Sequence, residues 1–557
     1  MSGAPSGAAA GGRRWPWPAL LLVFLLLWLV GYPLLLTFLG SLRGDGGFTL
    51  AHWSEFFGRR DEWLALWRSC FISLLSVVLA ALLGVPLAFA FERLDFPGRR
   101  VLGALVALPI ALPPLVGVFA FYFLFGETGF LARGLQLALG LSEPPWRLVG
   151  PGAILLVHAY SMYVYFYLFV RAALSRLDAS LLEAAGALGA SRARTVFKVE
   201  LPQLRPALLG ASLLVFMTSL GSFSAPYIFG GGYQVMTTRI LASKTGGQLG
   251  LVQVEAAALA IVALAVLWLI RRFQGQEVAL ASHGVAPARK RIERRWVRVA
   301  SAALGYAAAF LLLLPHLTLI LISFVPMGTW STELLPPVYS AENYHQLFAD
   351  PQRLQPILNS LWMAAVAAAG AILLGFVAAR QALRRGGFLG GLLEGLIALP
   401  WAIPATVFAL ALALTFSTHE PWLLRFVWVG TPIILPLAYL VRCLPITGRS
   451  ALAGLRQIDP SLEEAAAILG ASRARTFWKV VLPRVRPALQ AGLGLAFITA
   501  LGDYVASIVV YTVANQPISM EIDRALRHAD FGVGAAYGVL LMVLSSAAFL
   551  LWGRGDA

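Results

Sequence analysis

Apolar residues in this chain do not recur at the period of an amphipathic helix or a half-buried strand. They form long runs separated by short polar stretches. A helix needs about 20 mainly apolar residues to cross a bilayer. Runs of that length lie near 18–40, 70–91, 101–125, 150–170, 206–229 and 250–270. A second set lies near 299–324, 359–379, 388–415, 427–448, 487–510 and 533–552. An open strand would leave its backbone groups unsatisfied in lipid, so every run is predicted to be helical. The expectation is an all-α polytopic membrane protein of about 12 spans.

Composition agrees. The 557 residues are 59% hydrophobic and 13% charged, which excludes a soluble enzyme with one core, a disordered chain and a secreted disulfide scaffold. Cys70 and Cys443 lie in apolar runs and read as small packing residues. Arg13 and Arg14 precede the first run, as in a signal peptide. The run is longer than such a segment needs and no A-x-A site follows, so a retained first helix is expected.

Charge orients the spans. With loops assigned alternately from the inside, inner segments hold 30 Lys and Arg against 11 Asp and Glu, and outer segments 12 against 13. Cytoplasmic loops attract positive charge, so both termini are expected in the cytoplasm. The net charge of +16 is then topological, and no nucleic-acid partner is expected. The basic stretch 276–298 reads as a cytoplasmic linker touching anionic lipid headgroups. It divides the chain into a first domain, 1–275, and a second, 299–557. Four charges remain inside spans: Glu255, Glu394, Arg442 and Asp503. Glu255 and Glu394 are expected to reach polar surroundings at span ends, and Arg442 to snorkel toward the cytoplasm.

The halves repeat. Asp178–Leu208 and Asp459–Leu489 align without a gap at an offset of 281, with 22 of 31 positions identical. The offset continues to Gly221-Ser222-Phe223 and Gly502-Asp503-Tyr504. Upstream, Ala107-Leu-Pro-Ile-Ala-Leu-Pro113 matches Ala398-Leu-Pro-Trp-Ala-Ile-Pro404 at an offset of 291. Six spans per half make the repeats parallel, related by an axis along the membrane normal, with a seam between the bundles as the natural pathway. The repeated loops, 178–206 and 459–487, are polar and lie between the fourth and fifth spans of each half, yet they are the most alike part of the two halves. A solvated loop without constraint would have drifted. Two copies of one docking surface, each meeting a copy of one partner, explain the likeness.

The loops carry a pattern: Glu-Ala-Ala, three residues, Gly, nine residues, an aliphatic residue, one residue, Leu-Pro. It is met by Glu183-Ala184-Ala185, Gly189, Val199 and Leu201-Pro202, and by Glu464-Ala465-Ala466, Gly470, Val480 and Leu482-Pro483. This resembles the signature loop of the permeases of binding-protein-dependent ABC importers. Nearly the whole chain is similar to two such permease domains fused, which implies the type I importer fold with two parallel six-helix repeats. The resemblance implies that 183–202 and 464–483 carry coupling helices seated on ATP-binding subunits. Glu183 and Glu464 would orient them, with Arg192, Arg194, Arg473 and Arg475 at the contact. Two copies of a cytoplasmic ATP-binding subunit and a periplasmic or extracellular solute-binding protein are the implied partners, in a bacterial cytoplasmic (inner) membrane.

No G-x-x-x-x-G-K-[ST] phosphate loop occurs; the nearest fragment is Ser243-Lys244-Thr245-Gly246. The chain is therefore expected to be a translocation subunit with no catalytic residues, metal site or bound cofactor of its own. ATP and Mg would be held by the partner. In this family the fifth helix of each bundle lines the passage. Asp503 is the sharpest candidate there, with Ser222, Phe223, Ser224, Thr499 and Tyr504. The other reading of Asp503 is a cap on a broken helix or a bond to a neighbouring helix. A lone acid would suit a cation. The tyrosine-rich run with His158, Tyr160, Tyr163, Tyr165 and Tyr167 reads as a packed aromatic face rather than iron ligands. Fused permeases resemble ferric-iron importers, with thiamine and polyamine permeases next, so ferric iron is the expected cargo. The alternative is a gradient-driven secondary transporter of twelve helices. No constellation supports a membrane-embedded enzyme.

Overall fold

The computed structural model describes residues 17–44, 46–107, 109, 113–274, 290–291, 294–330, 333–419 and 425–552. Arg13, Arg14, Leu108, Ile110, Ala111, Leu112 and most of the 276–298 linker lie outside these. Among the described residues, eight helices are long and apolar enough to cross a membrane, and ten if each of two bent pairs counts as one span. Two further helices, Ile434–Arg456 and Leu482–Leu501, fall short because Arg442 and Arg449, and Arg484 and Arg486, lie in them. Each predicted span region therefore carries helix. Several spans are not the continuous rods that hydropathy predicts. The third divides into Arg99–Ala107 and Pro114–Phe125, and the ninth bends by 106° between Gly387–Ala402 and Ala405–Thr415. The fifth and eleventh stop at Leu220 and Leu501 and restart at Ser224 and Val505.

Proline and glycine account for the breaks. Pro113 and Pro404 have extended backbone and no N–H to continue a helix, and Gly221 and Gly502 end the preceding helices.

In each half the second, fourth and fifth spans form a tight trio. Small residues allow it. Along Pro351–Arg385 the buried positions include Ala364, Ala367, Ala368, Ala371, Gly375, Ala378, Ala379 and Ala382, a narrow stripe that lets backbones approach. Gly84 and Gly375, equivalent at the offset of 291, sit where the second and eighth spans cross the fourth and tenth. A Cβ at Gly84 would press on the Tyr163 carbonyl and come within 2.7 Å of Phe166 Cβ. One at Gly375 would lie 2.8 Å from Thr447 Oγ1 and 2.9 Å from Gly448 N.

The halves are not two bundles side by side. The first span, Trp17–Gly40, packs against Gly387–Ala402, Ala405–Thr415 and Pro351–Arg385 of the second half, with Trp28 edge-on to Phe416 at 5.6 Å. Reciprocally, Arg295–Ser323 packs against Arg99–Ala107 and Pro114–Phe125 of the first half. Each half lends its leading helix to the other, and the largest buried apolar cluster runs through both. Two short ladders complete the described structure; one pairs Leu94–Asp95 with the linker residues Lys290–Arg291. The cysteines are both free, and Cys443 Sγ lies 3.3 Å from the Ala496 carbonyl.

Adding a branched side chain at the helix crossings should force the trio apart. Gly84→Val and Gly375→Val are each expected to lower stability by about 1–3 kcal/mol. Gly117→Ala, where a Cβ meets nothing within 4 Å, should be neutral. Thermal unfolding in detergent, followed by tryptophan fluorescence, checks this.

Candidate functional site

The two repeated loops fold alike through their caps, glycine turns and second short helices; beyond these the first bends by 67° after Gln203, while the second runs unbroken from Leu482 to Leu501. Asp178 accepts the Ser180 N–H at 3.0 Å and Asp459 the Ser461 N–H at 2.9 Å. These caps start the helices Ala179–Ala187 and Pro460–Ile468. Hydrogen bonds from Ser461 hold the Asp459 carboxyl below its ordinary value. Each helix then closes on a left-handed glycine, Gly189 at φ 72° and Gly470 at φ 76°. The next N–H returns to a helix carbonyl, Ala190 to Ala185 at 3.0 Å and Ala471 to Ala466 at 2.9 Å. Ser191 and Ser472 cap second short helices, Arg192–Thr195 and Arg473–Thr476, which run on through a π-helical turn toward the fifth and eleventh spans.

Glu183, Ala184, Ala185 and their copies Glu464, Ala465, Ala466 therefore sit on the first helix of each loop, with Glu183 and Glu464 exposed. Arg192, Arg194, Arg473 and Arg475 are exposed on the second. Equivalent apolar side chains stand between them. Leu188 is 87% exposed and Leu469 86%, while Phe197 is 70% exposed and Trp478 64%. Burying such a side chain is worth about 1.5–3 kcal/mol, and here the same positions forgo it in both copies.

The loops are anchored to their own halves by equivalent arginines at the ends of the second and eighth spans. Arg93 binds Glu200 at 2.8 Å and Arg384 binds Glu463 at 3.3 Å. The acids are not equivalent, since Glu200 corresponds to Val481 and Glu463 to Leu182. Arg380 also lies over the Phe477 ring at 4.5 Å.

At the seam the breaks of the two halves meet. Phe223 and Tyr504 occupy the same repeat position, are both buried, and touch at 5.7 Å between ring centroids. The contacts around them are reciprocal. A Cβ at Gly502 would lie 2.6 Å from Pro113 Cβ of the first half, and one at Gly221 would lie 3.5 Å from Pro404 Cα of the second. The sequence carried this signal in the Gly-Ser-Phe/Gly-Asp-Tyr and Pro113/Pro404 repeats. That each glycine packs on the other half's proline was not readable from it.

Asp503 is no lone acid. Its carboxylate pairs with Arg442, which turns to it instead of snorkelling, and accepts the Ala506 N–H at 2.8 Å, capping the restarted helix. The pair is neutral, so Asp503 presents no spare negative charge. Tyr504 donates to Asp523 at 2.9 Å. At the matching break in the first half, His158 Nε2 lies 2.9 Å from Ser222 Oγ, while Nδ1 faces Ser76 at 2.9 Å and Ser219 at 3.1 Å. His158 thus belongs to a serine network, and Tyr163 and Tyr167 bond to the Val106 and Gly103 carbonyls. Ser224 is buried, whereas Thr499 is half-exposed and bonds back to the Leu495 carbonyl. Among the described residues no group of three or more His, Cys, Asp or Glu could hold a metal. Glu394 binds Arg456 at 2.8 Å. Glu255 is fully buried, and its polar partner is Ser243, which donates to it at 2.6 Å. Lys244 bonds to the Val509 carbonyl across the seam.

The profile of the family described as "Binding-protein-dependent transport system inner membrane component" matches residues 76–275 and again 371–554. The chain is similar to a "Probable ABC transporter permease protein y4fN" of Sinorhizobium fredii, 28% identical over 510 residues, covering 90% of this chain and 89% of that protein. It is also similar to the "Ferric transport system permease protein FbpB" of Actinobacillus pleuropneumoniae, 25% identical over 550 residues, covering 96% of this chain and 77% of that one. The "Molybdenum transport system permease protein ModB" of Escherichia coli is 34% identical over 172 residues, 30% of this chain and 72% of that protein.

Removing one member of a buried ion pair strands the other, at a cost of about 3–5 kcal/mol. Arg442→Met and Asp503→Leu should each destabilise the protein by an amount near the lower bound, since Arg442 is partly exposed. The double variant should recover most of the loss. A double-mutant cycle on thermal stability checks it; additive effects would mean no coupling.

Proposed function

The chain belongs to the family of binding-protein-dependent transport system inner membrane components and carries its domain twice; on that premise we propose how this fused ABC importer permease works and what it carries. The observation that carries the proposal is the pair of equivalent exposed loops, each presenting an uncovered leucine and an uncovered aromatic ring after the same glycine-turned helix. One ATP-binding subunit docks on each loop from the cytoplasm, with both chain termini on that side. Those subunits hold ATP and Mg and perform the hydrolysis; this chain only translocates. Glu183 and Glu464 orient the docked helices and the four arginines line the contact. A solute-binding protein delivers cargo to the opposite face. Closure of the ATP-binding subunits moves the loops together, and the two halves rock between inward- and outward-open states. The Phe223–Tyr504 contact parts as they do, and Ser222, Ser224 and Thr499 line the opened passage beside the neutral Arg442–Asp503 pair.

The proposed cargo is ferric iron. Support comes from relatives named for ferric transport that align over 96% and 94% of this chain, whereas the molybdenum and sulfate permeases align over 30% and 28%. Thiamine and polyamines are the next cargoes.

Proline fixes φ near −65° and cannot adopt the left-handed turn at Gly189 or Gly470. Gly189→Pro with Gly470→Pro should reduce ATP-driven uptake to background while the protein still reaches the membrane. Normal uptake by that variant would sink the coupling assignment. In cells depleted of other iron uptake, this chain with its partners should support vanadate-sensitive accumulation of labelled ferric iron. Accumulation of thiamine or a polyamine without iron would overturn the cargo alone; vanadate-insensitive uptake that follows the membrane potential would overturn the ATP-driven reading.

A further inference from the structure

At the end of the first half remote from the duplicated loops, two acids lie fully buried. Glu62 is in the first turn of Arg60–Arg93 and Glu255 is near the start of Leu249–Gln274, and both are 0% exposed. The short helix Met236–Thr245 packs between them and donates to each. Arg239 Nε and Nη2 bind Glu62 Oε1 at 2.9 and 2.5 Å, and Ser243 Oγ binds Glu255 Oε1 at 2.6 Å. Arg239 and Ser243 are four residues apart, so one helix face serves both acids. The two carboxyl groups are close enough to act on each other. Among the described residues, Glu62 Oε2 and Glu255 Oε2 are buried without any donor.

Charge and hydrogen bonding give the same answer. Two carboxylates against one partly exposed guanidinium leave a net negative charge on two acids that are themselves shut off from bulk solvent, which is costly. The charged groups facing Glu255 are Glu62 and Arg239; those facing Arg239 are Glu62, Glu255 and Asp61. Lys244 is turned away to the Val509 carbonyl, and on the neighbouring outer helix Glu55 is paired with Arg59 at 2.5 Å. Among the described residues no further cation is paired with either acid. A metal ion would need several more oxygens than the two left unpartnered. A single proton neutralises the charge and supplies the missing donor at once.

The second half shows what the arrangement replaces. Met236 N binds Ser69 Oγ at 2.7 Å and Ile518 N binds Ser360 Oγ at 2.8 Å, which fixes the register of the repeats there. In that register Glu62, Arg239, Ser243 and Glu255 correspond to Arg353, Glu521, Ala525 and Tyr537. Only one of these four is an acid, and Tyr537 donates to the Arg353 carbonyl at 2.6 Å.

We propose that Glu62 and Glu255 bind one proton between them, and that this proton clamps the Met236–Thr245 helix to the second and sixth spans. The clamp acts on the seam. Thr237 Oγ1 on that helix donates to the Ser222 carbonyl at the fifth-span break at 2.7 Å, and Lys244 reaches the other half. Loss of the proton sets two carboxylates against each other and loosens the helix. The site rests on the geometry of the first half and is independent of the cargo.

Infrared difference spectra of the full chain in lipid nanodiscs test this. At neutral pH the wild type minus Glu255→Gln is expected to show the carbonyl stretch of a protonated carboxylic acid. Glutamine supplies the missing donor without a charge, so the variant should match wild-type stability at neutral pH. Folded chain that keeps a proton the unfolded chain has released loses stability as pH rises. The wild-type folding equilibrium should therefore fall about tenfold more per pH unit than that of the variant until the proton leaves. An absent band, or parallel pH profiles, overturns the proposal. Stabilisation of the wild type, but not the variant, by sodium, potassium or magnesium at fixed pH overturns it in favour of a metal cation. Should Glu255→Gln fail to fold, Ser243→Ala takes its place: the band must persist and move, and an unmoved band overturns the assignment.

Discussion

A helix broken inside a bilayer must find partners for its freed backbone groups within the protein. The seam of this molecule is organised around that requirement. The Ser222 carbonyl accepts the Thr237 hydroxyl at 2.7 Å, and the Asp503 carbonyl accepts Ser507 at 2.6 Å and Ser519 at 2.8 Å. The Asp503 side chain caps Ala506 N–H at 2.8 Å. Because the partners come from the short helices after each break, those helices are tied to the seam. Because glycine sits at each break, the opposite half's proline can pack against it. The closed contact of Phe223 with Tyr504 follows from both.

The same chain is symmetric where a shared partner would demand it and asymmetric elsewhere. The loops match in caps, glycine turns and exposed apolar positions. Their anchors to the bundle, Arg93–Glu200 and Arg384–Glu463, use equivalent arginines and unrelated acids. The links from the fourth and tenth spans to the breaks differ more: a histidine among serines in one half, an arginine–aspartate pair in the other. A rigid connection can be built from either chemistry, so drift is tolerated there. The leading helix of each half packs on the other half, and Arg295–Ser323 also on Phe531–Trp552 of its own, so these helices tie the two halves together.

Much of this was legible in the sequence. Hydropathy located helix in every predicted span region, and the repeat gave the loops, their caps and their glycine turns, because those depend on local backbone chemistry. Hydropathy averages over a window, so it reported 101–125 and 388–415 as single spans although Pro113 and Pro404 interrupt them. It also began the second span at residue 70, whereas the helix starts at Arg60, and this placed Glu62 in a loop and hid its meeting with Arg239, 177 residues away. Arg442 and Asp503 were each singled out, yet their pairing across 61 residues is a property of packing. Exchange of the first and seventh spans left no trace either, since one apolar helix face matches another nearly as well as the next.

The central claim is that two equivalent loops each seat one ATP-binding subunit. Native mass spectrometry of the complex, gently solubilised from its own membrane, tests it most directly. The account predicts two ATP-binding subunits for each copy of this chain, with the assembly falling to one when Gly189→Pro or Gly470→Pro is introduced singly. A wild-type complex with no ATP-binding subunit, or with one that survives both substitutions together, would contradict it.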